Sequence, residues 1–488
     1  MIPVLLIVVP LISGVISFLL KSESTAKAWA LFSSIITLIV SLLGLTLLND
    51  YSYLHADKPW MENLGSNFSV SLDGMGQLLC LLTALAFPLA FVSTYKSTYQ
   101  RANSFYAFML LSQAGLMGVF LSVDALLFYF FWELALIPAY FLCSGWGGER
   151  RIQVTFKFFI YTFIGSLFML VGILYAYSKT PDHSFALTSF YNLHLSNTEQ
   201  AWLFWLFFVA FAVKMPIFPF HTWQPDTYEQ SPTATTMILS GVMVKMGVFA
   251  LIRWLVPVLP IASWAWGDTV SILCVTGMLY ASLIAMRQDD IKRLIAYSSI
   301  AHIGLMGLAV FANSQSGMQG VMIQMFNHGI NIIGLWIVVE LIERQFGTRK
   351  MSELGGVAQK APVLAIMLVV LSLANVALPL TNAFIGEFLM FNGVFSSTVS
   401  KFNIVFAVLA LITVILSAVY TLSMIQKVLF GNTNALTSNA RDIYRNETVA
   451  LSVIVVLILV IGVYPKPFME LTQGTVDSIL SRMITKHP

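Results

Sequence analysis

The stretch Leu206-Phe-Phe-Val-Ala-Phe-Ala-Val-Lys214-Met-Pro-Ile-Phe-Pro-Phe-His221 decides the reading of the whole chain. An apolar run that begins near Ala201 ends on a lysine, two prolines and a histidine. The run is about the 20 residues that cross a bilayer. Proline removes a backbone donor and breaks a helix. Broken backbone at membrane depth persists only where it is buried in protein or lines a wet cavity. The segment therefore reads as an interrupted membrane helix inside a bundle, with a cation beside the break.

Working outward, 58% of the 488 residues are hydrophobic and 10% are charged. Soluble domains carry about a quarter charged residues, so lipid is the solvent for most of this chain. The formal charge of +3 is small and its basic residues are scattered, which excludes a nucleic-acid partner. Cys80, Cys143 and Cys274 sit in apolar runs without metal spacing and read as small buried hydrophobes. No phosphate-binding glycine loop or nucleotide fingerprint is present, and no metal-ligand set is expected. The start, Met1-Ile-Pro-Val-Leu-Leu-Ile-Val-Val-Pro10, reads as a first span and not a cleaved leader.

Windows of membrane length predict an all-α polytopic bundle of fourteen helices: 3–20, 29–48, 74–95, 104–122, 124–144, 153–178, 201–220, 234–256, 269–286, 294–312, 317–343, 361–396, 402–426 and 447–464. The twelfth is interrupted like the seventh, by Asn375-Val-Ala-Leu-Pro-Leu-Thr-Asn382. Lysine and arginine concentrate in alternate loops, at Lys21 and Lys27, Lys96 and Arg101, Arg150 and Arg151, and from Arg344 to Lys360. The opposite loops hold Lys58, Lys179 and Lys401. This bias places both termini on the outer, periplasmic side of a cell inner membrane. After Pro467 the apolar residues Leu471, Val476, Ile479, Leu480 and Met483 approach helical spacing; the tail either lies along the outer interface or frays.

Six ionisable residues lie deep in six spans: Glu133, Lys214, Lys245, His302, His328 and Glu387. Each charge at a helix centre costs about 2.5–3.5 kcal/mol on insertion scales. One such group is explained by snorkelling or by a structural ion pair. Six on separate helices are better explained as the lining of a polar path. A carboxylate near a buried lysine holds its proton, and withdrawing the carboxylate favours release. Histidine accepts on one ring nitrogen and donates on the other, which suits a relay. His221 and Asp226 flank the first break and serve either this path or the freed backbone groups.

At these residues a resemblance emerges. Phe211-Ala-Val-Lys-Met-Pro-Ile-Phe-Pro-Phe-His-Thr-Trp-Gln-Pro-Asp226, followed by Ser231-Pro-Thr and Lys245, resembles the signature of the antiporter-like subunits of respiratory complex I. That resemblance implies two inverted five-helix repeats, 104–256 and 269–426, each with one broken helix. Helices one to three (1–103) precede them, and a last helix and tail (447–488) follow. It implies that Glu133 modulates Lys214 and that Lys245 bridges to His302, His328 and Glu387 along a proton path. Glu387 in Ile-Gly-Glu-Phe-Leu-Met-Phe resembles the M-type branch, whereas the L- and N-type branches and Mrp antiporter subunits usually carry lysine there. Tyr228 stands where the family motif usually has histidine.

The implied function is proton translocation within an NADH:quinone oxidoreductase. This chain would bind no cofactor; FMN, iron–sulfur clusters and quinone would belong to other subunits, and L- and N-type subunits would be its neighbours. The rivals are an Mrp-type cation/proton antiporter or a membrane-bound hydrogenase subunit, and, from another class, a passive membrane scaffold.

Overall fold

The computed structural model describes residues 1–47 and 51–484. Helices cover most of each expected span, except at the two breaks, 215–222 and 376–381. Eleven helices among the described residues are long and apolar enough to cross a membrane. The other three expected spans are the first, a helix of 16 residues (Ile2–Ser17), and the two interrupted ones. A 16-residue helix is about 24 Å long, short of the roughly 30 Å hydrocarbon core. The seventh span ends at Lys214 and resumes as the short helix Trp223–Gln230. The twelfth is split into Pro362–Asn375 and Asn382–Phe395.

Burial sorts the helices. The eighth (Thr233–Leu255) and eleventh (Gln315–Phe346) are enclosed almost completely, while the second, sixth, thirteenth and fourteenth are the least buried. Helices apolar on every side belong at the centre of a bundle. Close approach at this centre uses glycine: a Cβ on Gly329 would lie 2.8 Å from the Gly241 carbonyl, so only a bare backbone lets the two central helices meet there.

The eighth helix is irregular. Two five-residue π turns, Leu239–Met243 and Leu251–Leu255, flank the segment Lys245–Ala250. Each inserts an extra residue and detaches carbonyls from the α pattern. Val244 N–H reaches back five residues to Leu239, leaving the Ser240 carbonyl free of it.

One departure from all-helical structure is a β-hairpin between the second and third helices, with β1 at His55–Met61 pairing antiparallel to β2 at Ser66–Ser71. Its turn residue Gly65 has φ +71°, and a Cβ there would lie 2.1 Å from the His183 carbonyl. Met1 donates its amino group to the Tyr53 carbonyl on this same face. The tail forms a helix, Lys466–Ile484, that buries Val476, Ile479, Leu480 and Met483 against the third and eleventh helices. Of the two readings of the tail, the helix is the one observed; Lys486 lies outside the described residues. The three cysteines are free and buried.

Candidate functional site

The first break leaves Lys214 as the last residue of its half-helix, with its side chain 2% exposed. Its Nζ makes no hydrogen bond and sits 5.6 Å from the centre of the Trp132 ring. Glu133, next to that tryptophan on the fifth helix (Ala125–Trp146), is half-buried, and its Oε1 also lacks a partner. Lys214 Nζ and Glu133 Oε1 therefore make no hydrogen bond to each other. Ser166 on the sixth helix (Arg151–Ser178) lies beside the carboxylate.

Lys245 is completely buried between the two π turns. Its Nζ donates to the freed Ser240 carbonyl at 2.7 Å and lies 2.8 Å from His328 Nδ1. A lysine and an imidazole nitrogen in such contact share one proton: either the ammonium donates to bare Nδ1, or Nδ1–H donates to the amine. The other ring nitrogen of His328 lies 3.3 Å from the Ser299 hydroxyl. His302, three residues along the tenth helix (Ile291–Phe311), has its ring centre 5.4 Å from that of His328.

His302 sits among acceptors. Nδ1 lies 2.8 Å from the Ser298 carbonyl and Nε2 lies 3.0 Å from the Asn375 carbonyl. Carbonyl oxygens only accept, so the ring makes both contacts only in its doubly protonated form. Glu387 Oε1 balances that charge at 3.3 Å, off the axis of the Nε2–H bond that points at Asn375. Beyond Glu387 lies a cavity of about 380 Å³ lined by Phe384, Phe388, Phe391, Phe395 and the thirteenth helix (Asn403–Leu429). The order in space is therefore Lys245, His328, His302, Glu387.

The second break exists because neighbours satisfy it. Asn331 donates to the Ala374 carbonyl at 3.4 Å and Asn327 to the Asn382 carbonyl at 2.7 Å. Asn375 anchors Ser298, which also accepts from Tyr420. Ala377 and Leu380 adopt positive φ of 59° and 73°, conformations that cost side-chain-bearing residues about 1–3 kcal/mol each. These supporting residues were missed in the sequence. Asn327, His328 and Asn331 recur at helical spacing within an apolar run, which is the signal that would have found them.

His221 and Asp226 lie away from this row. His221 packs on Phe218 and Tyr280, and its Nδ1 has no hydrogen-bond partner. Asp226 pairs with Lys157 at 3.0 Å and Arg293 at 3.1 Å, and Lys157 also donates to the Thr222 carbonyl. Next to it, Glu229 binds Arg293 at 2.7 Å, Arg349 at 2.9 Å and Arg150 at 3.2 Å. Burial opposes ionisation of Glu229 and Asp226, but their cationic partners outweigh it and hold both carboxyls below the usual range. This network caps the face opposite the hairpin.

A bundle with two broken helices and a row of titratable groups at its centre defines a class: multi-pass membrane proteins of the family described as NADH:quinone oxidoreductase/Mrp antiporter, which matches residues 122–423. The chain belongs to that family. Within it, the chain is 35% identical over 467 residues to NADH-quinone oxidoreductase subunit M of Rickettsia prowazekii, covering 94% of each chain. It is 33% identical to subunit M of Escherichia coli, covering 87% of this chain and 84% of that one. A chain of respiratory complex I from Thermus thermophilus superimposes with a TM-score of 0.91 at 27% identity, covering 99% of this chain and 100% of that one.

Proposed function

We propose that this chain is the M-type, proton-translocating subunit of the membrane arm of an NADH:quinone oxidoreductase. The observation that carries the reading is the contact row from Lys245 through His328 and His302 to Glu387. Only groups that exchange protons with one another justify that much buried charge. The resemblance of the chain to subunit M relatives along nearly its full length supports the same reading. Glu387, in place of the lysine usual in Mrp-type antiporters, favours the M type over an antiporter or hydrogenase arm.

In this reading the relay empties from its far end. His302 takes a proton from His328 once it has passed one to Glu387. Lys245 then reloads His328 across the 2.8 Å contact. Glu133 and Lys214 act upstream as a charge pair whose separation sets when Lys214 releases its proton. Glu387 delivers to the outer side or to the neighbouring subunit. The repeats 104–256 and 269–426 each contribute one break and one part of the path. Both termini face the periplasm of the cell inner membrane. FMN, iron–sulfur clusters and quinone reside in partner subunits, and L- and N-type subunits flank this one.

Lys214→Ala in the assembled complex tests the reading. Proton pumping by reconstituted vesicles should fall with NADH oxidation while assembly persists. An assembled variant that pumps at the full rate overturns it. Purification from native membranes should also bring the chain down with flavin, iron–sulfur signals and NADH oxidation.

A further inference from the structure

Beyond Lys245 the eighth helix continues into its second π turn, which holds another buried cation, Arg253, 8% exposed. Eight residues of helix put it roughly 12 Å from Lys245. Phe249 lies between them, with the Arg253 guanidinium 5.2 Å from the centre of its ring. Phe120 meets Phe249 edge-on at 5.4 Å, and Phe128 joins Phe249 to Trp254 at 6.4 and 5.2 Å. An aromatic plug therefore separates the two cations. The contact row leaves Lys245 toward His328 and does not use Arg253.

The partner of Arg253 shows which way it faces. Its Nη2 binds Asp73 at 2.7 Å, at the foot of the hairpin, two residues past the end of β2. The Asp73 side chain is more exposed than that of Arg253, 30% against 10%, and it also accepts from the Gly76 N–H and from Thr475. The anion thus meets water, and the cation faces the interior. The helix backbone is open on this side as well. Val256 N–H reaches back to Leu251, and residue 257 is proline, so the Ile252 carbonyl receives neither bond. The Arg253 carbonyl accepts from the Tyr191 hydroxyl at 3.1 Å. Carbonyls freed from a membrane helix call for polar partners, water among them. A hydrated thread from the hairpin face to Lys245 would let protons cross without doing work.

We propose that Arg253 is the charge barrier that closes the hairpin side of Lys245, so that the lysine's proton leaves only toward His328. Arginine keeps its proton at every physiological pH and has none to pass on. Its fixed charge repels a second cation from the plug, as charged groups do at the constrictions of membrane pores. A lysine in the same place would be free to release a proton and become a step on the route. The inference rests on the proton-translocating reading and adds to it a residue that sets direction without carrying a proton.

The test compares two variants that break the same ion pair, each in the assembled complex reconstituted in vesicles. Passive proton leak is read without NADH, under an imposed pH gradient. Asp73→Asn keeps the cation, and leak should stay at the wild-type level. Asp73→Asn combined with Arg253→Gln removes the cation without stranding the carboxylate. Leak should then rise roughly tenfold, the effect of one charge about 12 Å away at an effective dielectric of about 20. Adding Lys245→Met to that double variant should return leak to the wild-type level, because the route runs through the lysine. A purely structural role predicts equal leak from the single and double variants, and a leak that survives Lys245→Met. Either result overturns the inference, and so does a double variant as tight as wild type. NADH-driven uptake by Lys214→Ala, run alongside, separates the two readings. If Lys214→Ala is impaired and the double variant is tight, the barrier alone fails. If Lys214→Ala pumps at the full rate, proton translocation by this chain fails, whatever the leak.

Discussion

Glu133 and Lys214 make no hydrogen bond to each other, and each keeps an unpartnered atom. From Lys245 to Glu387 each titratable side chain touches the next, by hydrogen bond, ring contact or ion pair. The difference separates two uses of buried charge. A through-space pair responds to small shifts in separation and suits control. On the proposed reading a contact row suits conduction, and it fails if one member is lost.

Lys245→Met is the strongest way to break that contrast. It removes the head of the contact row, and coupled proton pumping should fall by roughly 10²-fold in the assembled complex. Glu387→Gln comes next. It keeps the shape but removes the anion opposite His302, and pumping should fall about tenfold, at the low end of such effects. Loss no greater for Glu387→Gln than for an exposed control outside that cavity, such as Ile415→Val, would remove Glu387 from the row.

The support of the second break gives a smaller effect, read as stability. Asn331→Leu removes the side-chain donor to the Ala374 carbonyl, which keeps the Ala377 N–H, and should cost about 0.5–1.5 kcal/mol in thermal unfolding of the detergent-solubilised complex. Glu133→Asp sharpens the other side of the comparison. Coulomb energy varies gradually with separation, so drawing the carboxylate back by one methylene should change pumping by no more than about twofold. A collapse there would mean that Glu133 works by contact after all.

The least effect is expected from pH on the opposite-face network. Glu229 and Asp226 titrate below their unfolded values, so their stabilisation is complete above the ordinary carboxylate range near pH 4 and lost as pH falls through the depressed folded values. Unfolding midpoints should carry no slope from these two groups between pH 5 and 9, and should drop under more acid conditions.

The spans were legible because lipid imposes one composition on every helix that crosses it, whatever its neighbours. The titratable row was legible for the same reason: a lysine such as Lys245 amid Gly-Val-Met-Val and Met-Gly-Val-Phe has no bland place to go. Its order was not. Lys245, His328, His302 and Glu387 come from four helices, and only packing shows that His328 stands between the lysine and His302. The π turns were equally hidden, since the sequence around Ser240 carries no proline to announce them. The hairpin escaped because His55–Ser71 alternates weakly and pairs only locally.

The tail helix carries a consequence for the early helices. Thr475 donates to Asp73 at 3.4 Å, and a Cβ on Gly74 would lie 1.9 Å from the Leu471 carbonyl. Gln315 and Gln319 hold the same helix through Asp477 and Gln473. The third helix therefore waits for a partner some 402 residues further along the chain. Without Lys466–Ile484, the seat that Val476, Ile479, Leu480 and Met483 fill on the third and eleventh helices would stand open as an apolar groove.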